Sequence, residues 1–209
     1  FIKGPYREPH EHLVPPTNLP IKLTLCNGLL MFMSKHEMYD IGTKSLYADG
    51  PFLESVLERI VQAQGADNIN SVIDGSLMIS CDNAHAVHPN FIAKHDGTHM
   101  PVLNGGPVIK VNVKQRYATT SVTASLFRQL CADSDVPMQT FVSRSDLGCG
   151  STIGPVTSSR LGVPTLDVGI PQLAMHSCRE VTGSEDPLRL ALVLEAFFNK
   201  AGNLSIEVE

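Results

Sequence analysis

One stretch of the chain carries several residue types that bind metal ions. A short apolar run, residues 77–79, predicts a buried strand, and residues 80–90 follow with the sequence SCDNAHAVHPN. Asp82 stands at the end of this strand, and His85 and His88 come soon after it. Carboxylate oxygens and imidazole nitrogens are ligands for zinc and similar ions, and α/β proteins place their chemistry at strand ends. The stretch therefore predicts a metal site, the alternative being a polar loop whose histidines only satisfy neighbouring groups.

Three further segments carry residues with a possible chemical role. Residues 145–155 contain three glycines with Ser and Thr, a pattern typical of either a plain turn or a loop whose amides approach a ligand. No Lys follows the last glycine, which excludes a phosphate-binding loop. Lys110 interrupts an apolar strand, where a lysine is costly unless its ammonium group reaches a cleft or a partner. His176 is a single histidine among apolar neighbours in a loop over residues 171–180, a pattern more typical of a structural residue than of a ligand.

Strands and helices alternate along the chain and must position these residues. Helices are predicted from residue 49 or 50 to Gly65, after a cap at Thr119 or Thr120, and over residues 186–200. Strands are predicted at residues 77–80, 108–113, 138–143 and 165–168. The alternation predicts an α/β domain, a three-layer sandwich whose mixed, partly parallel central sheet has helices on both faces. Apolar residues at helical spacing predict a buried face in each of two helices. The residues are Phe52, Leu53, Val56, Leu57 and Ile60 in the first helix and Leu188, Leu192, Leu194, Ala196 and Phe197 in the last.

Length and composition are those of one ordinary globular domain. The chain has 209 residues, of which 43% are hydrophobic and 18% charged. Residues 1–20 contain five prolines and predict an irregular arm, so the domain is assigned to residues 21–209. A net charge of −5 argues against a nucleic-acid partner, and no apolar run is long enough to span a bilayer. Five scattered cysteines indicate reduced thiols, so we expect an intracellular protein, with the cytoplasm favoured over an organelle.

Five blocks of sequence carry a resemblance to a known family. They are ISCDNAHAVHPN (residues 79–90), GPVIKVN (106–112), QRYA (115–118), CGSTIGP (149–155) and PQLAMHSCRE (171–180). In this order they resemble the aspartyl aminopeptidase family of zinc exopeptidases, over roughly residues 70–200. The part of the chain so covered resembles the C-terminal portion of that family's catalytic domain.

The resemblance implies a site and a reaction. It implies two zinc ions that share a bridging carboxylate, a Glu as general base, and cleavage after an N-terminal acidic residue of a peptide. Asp82 and His176 match zinc ligands, and Lys110 matches a residue implicated in substrate binding. The segment 148–154 matches a wall of the substrate pocket. We therefore expect Gly148, Gly150 and Ser151 of this segment, together with His85, to line that pocket. The resemblance also implies protein partners, as subunits of a homo- or hetero-oligomer.

The chain departs from the family pattern at its catalytic positions. Members have two adjacent glutamates before an apolar residue and a glycine, where this chain has MYDIG (residues 38–42). Tyr39 therefore stands at the general-base position and Asp40 at a ligand position. A phenol with a pKa near 10 is protonated at neutral pH and is a poor base. Glu8 is the nearest carboxylate to the position of the bridging Asp, and a further His ligand belongs to a portion of the family's domain that has no counterpart in this sequence.

Two functions remain open on these residues. The first is an aminopeptidase-like protein that keeps the scaffold, has lost most of its peptidase chemistry and acts as a structural or assembly subunit. Losing the general base typically costs about two to four orders of magnitude in rate. The second is an active zinc aminopeptidase that releases N-terminal Asp or Glu, of which this chain is one part.

Overall fold

The computed structural model describes residues 50–63, 65 and 68–200. The predicted site residues Tyr39, Asp40 and Glu8, and the domain boundary predicted at residue 20, lie outside this part. Its helices are α1 (Phe52–Ala63), α2 (Ile69–Ile73), α3 (Ser121–Asp133), α4 (Ile153–Leu161) and α5 (Asp186–Lys200). Its strands are β1 (Met78–Cys81), β2 (Ala84–His85), β3 (Val108–Val111), β4 (Gln139–Val142), β5 (Thr165–Gly169), β6 (Pro171–Leu173) and β7 (Val181–Thr182). A 3-10 helical segment covers Pro89–Lys94.

A mixed four-stranded sheet forms the centre of the described part. Its strand order is β1-β5-β3-β4, with β1 parallel to β5, β3 parallel to β4, and β3 antiparallel to β5. A smaller sheet has the order β2-β6-β7. Because β5 has a neighbour on each side and layers on both faces, all five of its residues are buried.

Alternate residues of β5 point to opposite faces of the central sheet. Leu166 and Val168 are 0% exposed and share one core cluster with Phe127 of α3 and with residues of α5. Asp167 points to the other face, where Gly154 of α4 lies directly against its carboxylate. Helices therefore cover both faces, and the predicted α/β sandwich with a mixed, partly parallel sheet is confirmed.

Two predicted helix ends are set by local residues. The Thr120 hydroxyl accepts a hydrogen bond from the Thr123 amide at 3.2 Å, and the Thr123 hydroxyl accepts one from the Thr120 amide at 3.0 Å. This reciprocal capping box begins α3 at the predicted place. After α1, Gly65 has a φ of +77°, a left-handed conformation that glycine adopts without steric cost, and its amide bonds the Gln62 carbonyl.

Two predicted apolar faces are correct only in part. Of the face predicted in α1, Leu53, Val56 and Leu57 are half-buried. Phe52 and Ile60 of α1 are 47% and 40% exposed, and Val61 is the buried residue of that helix, because α1 packs mainly against the short α2. In α5, Leu188 and Leu192 are 65% and 43% exposed. Of the other residues predicted to be buried in α5, Phe197 is buried and Leu194 and Ala196 are half-buried, and Val193, which was not predicted, is fully buried.

The short elements α2, β2 and β7 and the 3-10 helical segment were not predicted, and neither were β6 and α4, which bear on the site. The loop predicted over residues 171–180 begins with β6, whose first residue is a proline. Helix α4 escapes prediction because Gly154 and Pro155 are poor helix formers. Proline is tolerated there because the amides of a first helical turn have no intrahelical partner. Within the described residues, no helix combines the length and the apolar character needed to cross a membrane.

Candidate active site

Asp82 lies at a break between two parallel strand pairs. β1 pairs with β5, and immediately afterwards β2 pairs with β6, so the two chain segments run side by side through both sheets. The Asp82 amide donates to the Val168 carbonyl at 2.9 Å, and its side chain is 47% exposed. Gly169 passes directly under this break, since a Cβ atom on it would lie 1.8 Å from the Asp82 carbonyl oxygen. The predicted ligand thus stands at a strand end with its carboxylate accessible.

Lys110 supplies hydrogen-bond donors to this break. Its Nζ atom donates to the carbonyl oxygens of Asp82 at 3.0 Å and Asn83 at 3.4 Å, and lies 3.9 Å from an Asp82 carboxylate oxygen. It also lies 5.1 Å from the centre of the Tyr117 ring. Lys110 is only 1% exposed, and burial lowers its pKa, while the charges of Asp82 and Asp167 oppose that shift. The prediction that this ammonium group reaches a partner is confirmed.

His85 lies within electrostatic reach of both predicted zinc ligands. Its pKa is lowered first by burial and then by the positive charges of His95, Lys110 and His176, while the Asp82 carboxylate acts in the opposite direction. His85 is therefore a neutral imidazole near neutral pH. His95, which the sequence did not single out, places its Nε2 atom 3.4 Å from the His85 carbonyl oxygen.

His176 occupies an exposed turn with unusual backbone geometry. Its φ is +69° and that of Ala174 is +54°, values that are uncommon for residues other than glycine. The Glu180 carboxylate accepts a hydrogen bond from the His176 amide and so holds the turn. Strained backbone of this kind clusters at functional sites, which agrees with the ligand role that the resemblance implies for His176.

The predicted glycine loop is joined to Lys110 through Tyr117. The Cys149 thiol lies 3.4 Å from the Tyr117 hydroxyl, and the Ser151 hydroxyl donates to the Arg116 carbonyl at 3.2 Å. Gly148 and Gly150 are exposed, and no atom lies within 4 Å of a Cβ built on either of them. The loop therefore presents open backbone beside the buried lysine.

Asp167 is a buried carboxylate that sequence reasoning missed. It is 0% exposed and accepts hydrogen bonds from the Ala118 amide and the Thr152 hydroxyl, both at 2.6 Å. Its one sequence signal is a charge inside the apolar run of β5. Such a charge requires partners when buried, but the sequence does not show which ones they are.

The donor set of the described part fits zinc only in part. Asp82 and His176 are accessible and carry suitable donor atoms, whereas His88 has one ring nitrogen already engaged, because its Nδ1 atom accepts from the Asn90 amide at 3.1 Å. Among residues 50–63, 65 and 68–200, no three His, Cys, Asp or Glu side chains are grouped to hold a metal ion. The remaining ligands predicted in this chain, Asp40 and Glu8, lie outside these ranges.

Comparison with known proteins identifies the family. Residues 27–198 match the model of the aminopeptidase I zinc metalloprotease family, M18. A probable M18 family aminopeptidase 2 of Stutzerimonas stutzeri is 56% identical over 173 residues, which are 82% of this chain and 39% of that protein. Its counterpart in Pseudomonas aeruginosa strain UCBPP-PA14 is 59% identical over 151 residues, which are 72% of this chain and 35% of that protein. The chain thus spans little more than a third of the length of these relatives.

Solved structures agree with the sequence match. A cryo-EM structure of the Ape4 and Nbr1 complex contains a chain that is 40% identical with a TM-score of 0.77, over 81% of this chain and 33% of that one. A structure of the S. cerevisiae mApe1 dodecamer gives 30% identity and a TM-score of 0.65, over 77% of this chain and 37% of that one. The break that presents Asp82, the lysine beneath it and the glycine loop beside it are therefore features of a chain that belongs to the M18 family of aminopeptidases.

Proposed function

We propose that this chain is an aspartyl-aminopeptidase-like subunit that binds zinc and the acidic N-terminal residue of a peptide, but hydrolyses the peptide slowly. The observation that supports the binding half is the position of Asp82 at the strand break, where its side chain is 47% exposed and a carboxylate oxygen lies 3.9 Å from the Lys110 Nζ atom. The M18 match supports zinc as the metal. The slow hydrolysis rests on Tyr39, which stands where family members have the catalytic Glu.

Each residue has a separate task in this proposal. Asp82 and His176 hold zinc, with Asp40 and Glu8 as further ligands. Zinc, when bound, supplies a Lewis acid that polarises the scissile carbonyl. Lys110 fixes the backbone that carries Asp82 and adds positive charge near the acidic side chain of the substrate. Residues 148–151 line the pocket, with Gly148, Gly150 and Ser151 offering backbone and hydroxyl groups.

We also propose that the subunit works inside a protein assembly in the interior of the cell. The similar mApe1 protein forms a dodecamer, and Ape4 is found in a complex with Nbr1. The four cysteines of the described part, Cys81, Cys131, Cys149 and Cys178, are free thiols, as expected in a reducing compartment. Because hydrolysis by this chain is slow in the proposal, its remaining role is that of a structural subunit in such an assembly.

A gain of activity tests the proposal most sharply. The wild-type chain is expected to bind zinc and to release N-terminal Asp or Glu from a short peptide only slowly. Tyr39→Glu restores a base and is expected to raise kcat by about two to four orders of magnitude. Met38→Glu adds the same carboxylate one residue earlier and serves as the matched control.

Three results would count against parts of the proposal. Fast, chelator-sensitive turnover by the wild type with two zinc ions per chain would establish the second candidate, an active aminopeptidase. That candidate is favoured by the high identity to proteins named as aminopeptidases. Restoration by Met38→Glu instead of Tyr39→Glu would refute the position assigned to the base. Absence of bound zinc would refute the metal site itself.

A further inference from the structure

Asp167 connects the two segments that border the proposed substrate pocket. One carboxylate oxygen accepts from the amide of Ala118, the residue after Tyr117, and the other accepts from the Thr152 hydroxyl at the end of the glycine loop. Both distances are 2.6 Å, in keeping with charge-assisted hydrogen bonds, which are shorter than neutral ones. The main chain of Asp167 is held too, since its amide donates to the Thr119 hydroxyl at 3.0 Å.

The close contact with α4 leaves this carboxylate no freedom. A Cβ atom on Gly154 would lie 2.4 Å and 2.5 Å from the two Asp167 carboxylate oxygens. The residue after Ile153 must therefore be glycine for the loop to reach its position. The start of α4 also places its amide dipoles near a negative charge, a favourable arrangement.

The Thr152 hydroxyl binds the Asp167 carboxylate and does not cap the helix that it precedes. Thr152 is the N-cap residue of α4, where a threonine hydroxyl ordinarily accepts a hydrogen bond from a helix amide. No such bond is present in α4, because the hydroxyl is turned to Asp167 instead. The Thr152 hydroxyl therefore does not stabilise α4 as a cap. Its bond to Asp167 fixes the end of the glycine loop instead.

From these contacts we propose that Asp167 is a positioning residue that sets the glycine loop, residues 148–151, against the acidic side chain of the bound peptide. This proposal rests on the proposed function, which assigns the loop to the substrate pocket. Asp167 is fully buried behind the loop and acts through Thr152 and Ala118. Its loss is expected to weaken peptide binding more than it slows the chemical step.

Cys149 provides a readout that does not depend on activity. Its thiol belongs to the glycine loop, is partly buried and rests against the Tyr117 hydroxyl. The rate of its alkylation by iodoacetamide in the full chain, followed on the Cys149 peptide by mass spectrometry, reports how firmly the loop is seated. Thr152→Val removes the hydroxyl with little change in shape, Thr152→Ser keeps it, and Asp167→Asn removes the charge.

We expect Cys149 to be alkylated about tenfold to a hundredfold faster in Thr152→Val and Asp167→Asn, the equilibrium effect of losing a hydrogen bond to a charged group. Thr152→Ser is expected to match the wild type within about twofold, since it keeps the bond. Ser158→Ala removes a hydroxyl of the same helix that donates to the Val163 carbonyl at 2.9 Å, so it controls for general loosening of α4. It is expected to leave the Cys149 rate unchanged.

In the chain with Tyr39→Glu, the KM for a peptide with N-terminal Asp should rise about tenfold on Thr152→Val with kcat changed by less than about threefold. Equal alkylation rates in wild type and Thr152→Val would overturn the proposal, as would equal acceleration by Thr152→Val and Ser158→Ala. A fall in kcat with constant KM would also overturn it. Failure of the proposed function appears separately, as a wild type without zinc or peptide binding, and leaves the alkylation result interpretable.

Discussion

Lys110 has two roles beside Asp82, one in the fold and one in the proposed site. At the break between β1 and β2, the carbonyls of Asp82 and Asn83 accept hydrogen bonds from the ammonium group of Lys110. A buried cation is tolerated only with such partners, because removing it from water is costly. The same group therefore satisfies the fold and places positive charge beside the proposed metal site.

Lys110→Met keeps the length of the side chain and removes its charge and donors. Two carbonyl oxygens then lose their partner, so we expect the free energy of unfolding to fall by about 1–3 kcal/mol. Displacement of Asp82 is expected to lower kcat/KM in the Tyr39→Glu background by about a hundredfold. Urea denaturation and peptide hydrolysis measure the two effects. Lys114→Met, on an exposed lysine four residues later, is the control, and an equal loss of stability there would contradict the assignment.

Asp96 provides a pH-dependent contribution in the loop that follows the site. Hydrogen bonds from His99 and then from Thr98 lower its pKa from 3.8 to about 2. Because the folded-state pKa is depressed, the contribution is present above the unfolded pKa and is lost as pH falls from about 4 towards 2. Asp96→Asn should therefore lower Tm at pH 7 and leave it unchanged near pH 2. Asp135→Asn, on an exposed turn after α3, is the control, and a Tm difference that persists at pH 2 would contradict the linkage.

At the scale of elements, the close contact between the ends of the paired strands β1 and β5 determines where Asp82 lies. Gly169 ends β5 and passes beneath the Asp82 carbonyl at a distance that excludes a side chain. This contact lets β5 continue into β6 while β1 continues into β2. Asp82 is therefore held where the paired segments pass from one sheet to the other, by a close backbone contact with Gly169.

Gly169→Ala tests this close backbone contact. The new Cβ would lie 1.8 Å from the Asp82 carbonyl oxygen, so one of the two backbones must shift. We expect the free energy of unfolding to fall by roughly 3 kcal/mol or more, at the upper end for overpacking, as measured by urea denaturation. Gly97→Ala meets no atom within 4 Å and should change it by less than about 0.5 kcal/mol. Similar stability in the two variants would show that the strands are not constrained at this point.

The elements that the sequence predicted are those whose signals are local. The strand before Asp82 and the helix after Thr120 follow from apolar periodicity and a capping threonine, and both are present. Helix α4 has the opposite character, since Gly154 and Pro155 disfavour a helix and Gly154 is needed for the approach to Asp167. The exposed Leu188 shows the remaining difficulty, because helical spacing indicates a face but not what covers it.

For the molecule as a whole, two buried carboxylates connect segments that are far apart in sequence. Asp167 binds the amide of Ala118, 49 residues away, and Asp186 binds the amides of Asn104 and Gly106, 82 and 80 residues away. Their partners are backbone groups of loops, which leave no trace in residue type. The candidate ligand Asp82 could be predicted from its neighbours in sequence, whereas the residues that hold its surroundings could not.

Zinc binding, which belongs to the whole assembled site, gives the last prediction. A ligand that binds only the folded state stabilises it by about 2.7 kcal/mol at a hundred times its Kd. Zinc should therefore raise Tm, and a chelator should reverse the shift. Asp82→Asn and His176→Ala should each abolish most of this zinc-dependent shift in a thermal denaturation experiment. Both side chains are accessible, so the stability of the metal-free protein is expected to change little.

His88→Ala is the matched control for this prediction, because it removes an imidazole from the same segment as Asp82. His88 accepts a hydrogen bond from the Asn90 amide, and its ring packs on Phe91 with the ring centres 5.2 Å apart, which accounts for its orientation toward the 3-10 helical segment without a metal. The zinc-dependent shift in Tm should persist in this variant. A shift that vanishes with His88→Ala but survives His176→Ala would place the metal among residues 82–88 and would remove His176 from the site.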